Sequence, residues 1–257
     1  NAENPLVADL LSGTLEIIRE VGGFIAPTTR LIERGGQLSL ESSADNNSPM
    51  LLIPRECFVR VDRVTWAEQE DRMVIVEVPD EFSDIETEML YLQVALHNAC
   101  GKLEWMQRTH PSLDPRLPDD LVDAVRQLIP SFRNPMMAAT DVLWANRCFR
   151  IPMTPGGETE RVLVPVVDLL NHHSAGAVGD WTGEEFEVVT VKPFGTNECA
   201  LNYGMDRDAL VDPAAPTNSV RYARTDLVRL ISAAQDHTAS ESARTLGDAV
   251  RVMLDPC

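Results

Sequence analysis

The sequence predicts an α+β domain in which strand segments at both ends of the chain enclose a helical insert. Three observations carry that prediction. Short apolar, β-branched runs gather before residue 80 and again between about 160 and 204. Between them, Met89, Leu92, Leu96, Ala99 and Leu103 recur at three- and four-residue steps, the spacing of one helix face. Strands and helices come in blocks, so a regular βαβ series is not expected.

The chain has 257 residues, 44 % of them apolar, enough to build a sizeable core. Its formal net charge is −18, and a surface this acidic disfavours direct contact with a nucleic-acid backbone and suits a basic protein partner. The 5 cysteines, Cys57, Cys100, Cys148, Cys199 and Cys257, lie far apart in sequence and are odd in number. That excludes a close-spaced zinc motif, argues against a disulfide framework, and fits an intracellular, reducing compartment. No apolar run approaches the roughly 20 residues that cross a bilayer. No signal-peptide pattern is present, and the first residue, Asn1, leaves room for an upstream segment.

Taken in order, residues from Pro5 have helical character. From Leu15 the pattern alternates, so LEIIREVGGFIAP is expected as strand, Gly22-Gly23 turn and second strand. Residues 33–49 are rich in Gly, Ser, Asp and Asn and read as a surface loop. Met50 to Pro54 is a short strand stopped by proline. Thr65 to Arg72 reads as a short helix, and Met73 to Val78 as a strand. Glu86 to Arg108 is expected to be one long helix, with His97 near the edge of its apolar stripe, where packing is the ordinary role. Further helices are expected at 119–128 and 135–147. The methionine pair Met136-Met137 reads as core filler. Residues 225–254 show helical spacing again, in two pieces.

The stretch from Arg161 to Gly204 holds the candidate chemistry. Val162 to Leu170 is apolar apart from Pro165 and Asp168, so it belongs in a buried strand or turn. Asp168, Asn171 and His172 therefore bring polar groups into a dry setting, where each must find a partner. They either satisfy one another or line a pocket whose ligand completes the set. Tyr203 ends a second apolar run, followed by Gly204, and its phenol is either packed or poised to orient an amine. A Gly-x-Ser-x-Gly elbow and a phosphate-binding loop are both absent. His172 and His173 are strand neighbours and point apart, which argues against a two-histidine metal site.

In order, these motifs resemble those of the SET-domain protein methyltransferases, within them the Rubisco large-subunit methyltransferase-like group. Glu20 to Ala26 is similar to that group's glycine turn, and Leu51 to Pro54 to its following strand. Trp144 to Phe149 is similar to its serine-arginine-x-phenylalanine segment. Val164 to His172 resembles its most diagnostic motif, and Leu201 to Gly204 the segment of its catalytic tyrosine. The resemblance implies small curved β-sheets with a pseudoknot, a SET domain over residues 1–222 with a helical insert at about 86–149, and a short C-terminal helical segment at 223–257. It implies methyl transfer from S-adenosylmethionine to a protein lysine, or histidine in some members. Glu20, Gly22, Asn146, Asp168, Asn171 and His172 would hold the cofactor, Tyr203 would align the amine, and Arg147 and Tyr222 would meet the substrate. The sequence departs from the pattern in three places. The turn is Gly-Gly-Phe, Asn146 stands in place of serine, and no aromatic residue occurs between Met205 and Arg221. The alternative readings are a non-catalytic SET-like subunit or scaffold and a metal-dependent hydrolase using His172 and His173.

Overall fold

The structure, a computed structural model, describes residues 2–42, 49–109, 138–153, 157–189 and 198–201, with four further positions, Glu241, Arg244, Thr245 and Asp248. Helices and mainly antiparallel sheets make it an α+β fold.

The chain begins with helix α1, Pro5–Glu20, and not with a helix that turns to strand at Leu15. Asn4 caps it, its side chain accepting from the Leu6 amide at 3.0 Å, and Pro5 occupies the first turn, where no donor is needed. Val7, Leu11, Thr14 and Ile18 form a buried stripe at helical spacing, which outweighs the local alternation of Leu15 and Ile17. The helix stops at Gly22, φ 93°, a conformation that favours glycine.

Strand β1, Phe24–Ile25, follows, then a hairpin of β2, Thr29–Arg34, and β3, Gln37–Ser42. This hairpin replaces the expected surface loop. Its two-residue turn, Gly35-Gly36, has positive φ at both positions (57° and 78°), the geometry that matches strand twist. Residues 43–48 of that expected loop lie outside the described residues. Strand β4 is Pro49–Pro54, as expected. Residues 65–69 are strand β5, Thr65–Gln69, and not a helix: they pair with β6, Arg72–Glu77, around a turn at Glu70 with φ 56°.

The expected long helix is two, α2, Asp84–Ala99, and α3, Lys102–Thr109. Gly101, φ 59°, ends the first, and its carbonyl starts the second by accepting from the Trp105 amide at 3.0 Å. Helix α4, Ala139–Arg147, completes the described part of the insert. The expected helix at 119–128, the Met136-Met137 pair and nearly all of 225–254 lie outside the described residues. Strands β7, Phe149–Pro152, and β8, Thr159–Val162, make a small hairpin. They are followed by β9, Asn171–Trp181, β10, Glu185–Val189, and β11, Glu198–Leu201.

Among the described residues, seven strands form one sheet in the order β1-β4-β10-β9-β11-β3-β2, with β5-β6 and β7-β8 as separate pairs. All its pairings are antiparallel except β9 with β11, which run parallel. Helix α1 packs on α2, joined by Gln93 Nε2 donating to Thr14 Oγ1 at 3.0 Å in the interior. The core joins sheet and insert through ring contacts of Trp66 with Trp144 and of Phe149 with Phe186.

Candidate functional site

Every residue from Val162 to Leu170 is buried. Leu163 exchanges backbone bonds with Val59, after which the chain turns sharply through Val166 (φ 72°) into a single 3-10 turn at Val167–Leu169. A β-branched residue at positive φ is rare and is held only where its surroundings over-determine it. That turn places Asp168 in the interior with 0 % exposure. Its backbone carbonyl accepts from Arg147 Nη1 at 3.0 Å. Its Oδ2 lies 3.3 Å from Nε2 of His97, which is also fully buried. The approach is close but off the hydrogen-bond line, and neither carboxylate oxygen has a hydrogen-bond partner among the described residues. Trp144 stands edge-on to the His97 ring with centroids 5.5 Å apart.

Two more charges border this unit. Lys102, 3 % exposed, donates to Gln37 Oε1 at 3.1 Å. Burial pushes its ammonium down to about 8, with the positive Arg147 adding to the effect. Glu33 on β2 accepts from the backbone amides of Gly36, Glu3 and Asn4 at 2.7, 2.9 and 3.1 Å, and these bonds hold its carboxyl below the usual range. The Cys57 and Cys100 thiols go the other way, raised by burial to about 12 and about 11, so they are poor nucleophiles.

Three residues beyond Asp168, β9 begins. Asn171 pairs with Ala200 of β11, and the register then shifts so that Leu201 pairs with Ala177. The backbone at Asn171 thus runs beside the strand that leads to Tyr203. Tyr203 and Tyr222 themselves lie outside the described residues, as do the side chains of Asn146, Asn171 and His172.

The glycine turn lies elsewhere on the sheet. Phe24, Leu52, Glu187 and Asp180 stand in one row across β1, β4, β10 and β9. The turn therefore sits three strand spacings, about 14 Å along the sheet, from β9. There Gly22 borders a cleft of about 390 Å³ with Pro54, Arg55, Glu56, Glu184 and Glu185. Gly22 has open space where a Cβ would stand, whereas a Cβ at Gly23 would come within 2.5 Å of Ile18. Glu20 is exposed on the last turn of α1.

The sequence-predicted residues thus fall into two groups. The interior group joins Arg147 to Asp168 and sets Asn171 beside Ala200; the rim group holds Glu20 and Gly22. Sequence reasoning took His97 as packing and did not find its approach to Asp168. A histidine within an apolar stripe and an aspartate within an apolar run were the available signal. Lys102, Arg55, Glu184 and Glu185 were also missed, the last three because only the fold brings them to Gly22. Among the described residues, no group of three His, Cys, Asp or Glu side chains comes together to hold a metal.

No protein-family model and no curated protein matches this chain. Among solved structures, the chain is similar to one described as the crystal structure of the SET domain of LSMT bound to lysine and AdoHcy, at 13 % identity and a TM-score of 0.38. The match covers 80 % of this chain and 56 % of that one, so the chain spans little more than half the length of the matched structure.

Proposed function

We propose that this chain is an S-adenosylmethionine-dependent protein methyltransferase that acts on a lysine side chain. The observation that supports it best is the parallel β9–β11 joint, which sets Asn171 beside Ala200, three residues before Tyr203. The order of motifs, from the glycine turn through the Asp168–His172 run to Tyr203-Gly204, supports the same reading.

The residues present suit the cofactor. The cleft volume is in the usual range for a small-molecule site, and the open face of Gly22 leaves backbone accessible to a ligand. The carboxylates of Glu56, Glu184 and Glu185 suit hydroxyl and ammonium donors on a positively charged molecule. Glu20 and Gly22 would hold one end of the cofactor, with Asn146, Asp168, Asn171 and His172 at or behind the other. When bound, S-adenosylmethionine supplies a methyl group activated on a sulfonium sulfur. The protein's work is to align and desolvate a neutral lysine amine for in-line attack, with the Tyr203 hydroxyl orienting its lone pair. Arg147 and Tyr222 would border the substrate, and the net charge of −18 suits a basic protein. The buried free thiols suit a reducing compartment.

The test is calorimetric binding of S-adenosylhomocysteine together with labelled methyl transfer to basic proteins. Micromolar affinity is expected, and Tyr203→Phe should lower transfer about 100-fold while leaving that affinity within about twofold. No detectable binding would remove the proposal. The sequence between Met205 and Arg221, which lacks an aromatic residue, favours a second reading: a SET-like module that binds partners without turnover. Cofactor binding without transfer to any protein would select it.

A further inference from the structure

We propose that His97 is a positioning residue for the candidate site: its imidazole, from the helical insert, holds the Asp168 carboxylate and so fixes the turn that sets Asn171 beside Ala200. As far as the cofactor is concerned, this rests on the function proposed above.

The argument starts from Asp168. A carboxylate with no exposure needs a donor, because burial removes water from both oxygens. Two nearby cations have other tasks: Arg147 donates to the Asp168 carbonyl and Lys102 to Gln37. Among the described residues, the nitrogen that faces the carboxylate is His97 Nε2, 3.3 Å from Oδ2 and off the hydrogen-bond line. His97 is fixed in turn by Trp144 of α4, edge-on to its ring. The turn beside them is strained at Val166. The Asp168, Leu169 and Leu170 amides donate to Val164, Val166 and Val167 at 3.1, 3.2 and 3.1 Å. Such a turn keeps one geometry only when its side chains are tied down from outside. His97 and Arg147 tie it from α2 and α4, and Asn171 begins β9 two residues after it. The helical insert thereby acts on the candidate site through one imidazole–carboxylate contact.

Two variants of the full chain separate positioning from packing. His97→Phe keeps an aromatic ring, somewhat larger than imidazole, and removes the donor. His97→Gln loses the ring, and its amide nitrogen can take the place of Nε2. Exchange of the Asp168, Leu169 and Leu170 amides is followed with α1 amides as the internal control, alongside affinity for S-adenosylhomocysteine. Positioning predicts that His97→Phe speeds exchange and weakens affinity about tenfold, and that His97→Gln restores both to within about threefold of wild type. A packing role predicts the reverse order. The proposal is overturned if His97→Phe protects these amides as wild type does, or if His97→Gln does no better than His97→Phe. Failure of the wild type to bind S-adenosylhomocysteine would remove the proposed function, and the exchange measurement would still decide the role of His97.

Discussion

The interior around Asp168 and the rim around Gly22 solve opposite problems with similar residue types. In the interior, polar and charged groups lie among apolar residues, each against a specific neighbour: the half-buried Arg147 on a carbonyl, Lys102 on Gln37, His97 against Asp168. At the rim, Arg55, Glu56, Glu184 and Glu185 border an open cleft, and water can meet their needs until a ligand does. Sealed charges hold geometry because moving them leaves a bare charge in a dry place. Open charges hold little, but they are free to exchange water for a ligand. A site that needs both fixed geometry and turnover gains from keeping the two apart and joining them through a stiff sheet.

The largest expected effect tests the seal. Phe186 is 1 % exposed, and its ring lies 4.9 Å from that of Phe149 and against Gly179 of β9. Phe186→Ala should lower the unfolding free energy by about 3–5 kcal/mol in urea titration. A loss under about 1 kcal/mol would mean that the strands collapse around the gap and the interior is not rigid. Next comes the rim. A Cβ at Gly23 would meet Ile18 Cγ2 at 2.5 Å, the Ile18 carbonyl at 2.7 Å and Pro54 at 2.8 Å. Gly23→Ala should therefore destabilise by about 1–3 kcal/mol and displace the turn that borders the cleft. Unchanged stability would show the rim to be as yielding as its exposure suggests.

The smallest effect at neutral pH concerns Lys102, whose folded-state pKa of about 8 lies below the ordinary lysine value of 10.5. Between those values the unfolded chain holds a proton that the folded chain has lost, so this group makes stability rise with pH across that window. Below about 8 both states are charged, and the contribution is flat. Stability measured from pH 7 to 11 should therefore show wild type gaining on Lys102→Met between about 8 and 10.5. A constant difference would mean that water reaches the ammonium and the interior is less sealed than its burial indicates.

Periodicity made much of the fold legible. The apolar steps from Met89 to Leu103 fixed the helical face, and Met50 to Pro54 fixed a strand. What it obscured were places where one glycine or one cap outweighs composition. Gly101 divides a continuous apolar stripe into two helices. Gly35-Gly36 turns a polar stretch into a hairpin. Asn4 and Pro5 commit sixteen residues to a helix although Leu15 and Ile17 alternate locally. For the site, Asp168 was visible as a carboxylate inside an apolar run. His97 was not visible as its neighbour, because no local pattern links an insert helix to a turn so far along the chain. The rim carboxylates escaped for the same reason: Glu184 and Glu185 approach Gly22 only through the β4–β10 pairing.

The place of β11 has a consequence for the order of assembly. It closes the sheet by lying between β9 and β3, pairing Cys199 with Leu40 on one side and Ala200 with Asn171 on the other. During synthesis at about 5–20 residues per second, β3 leaves the ribosome roughly 160 residues, or some 8–30 seconds, before its partner does. Throughout that interval the β2–β3 hairpin presents an unpaired edge, open to any strand that passes. The two halves of the described sheet become one only when β11 arrives, so among its pairings the joint that supports the proposed site is also the last to form.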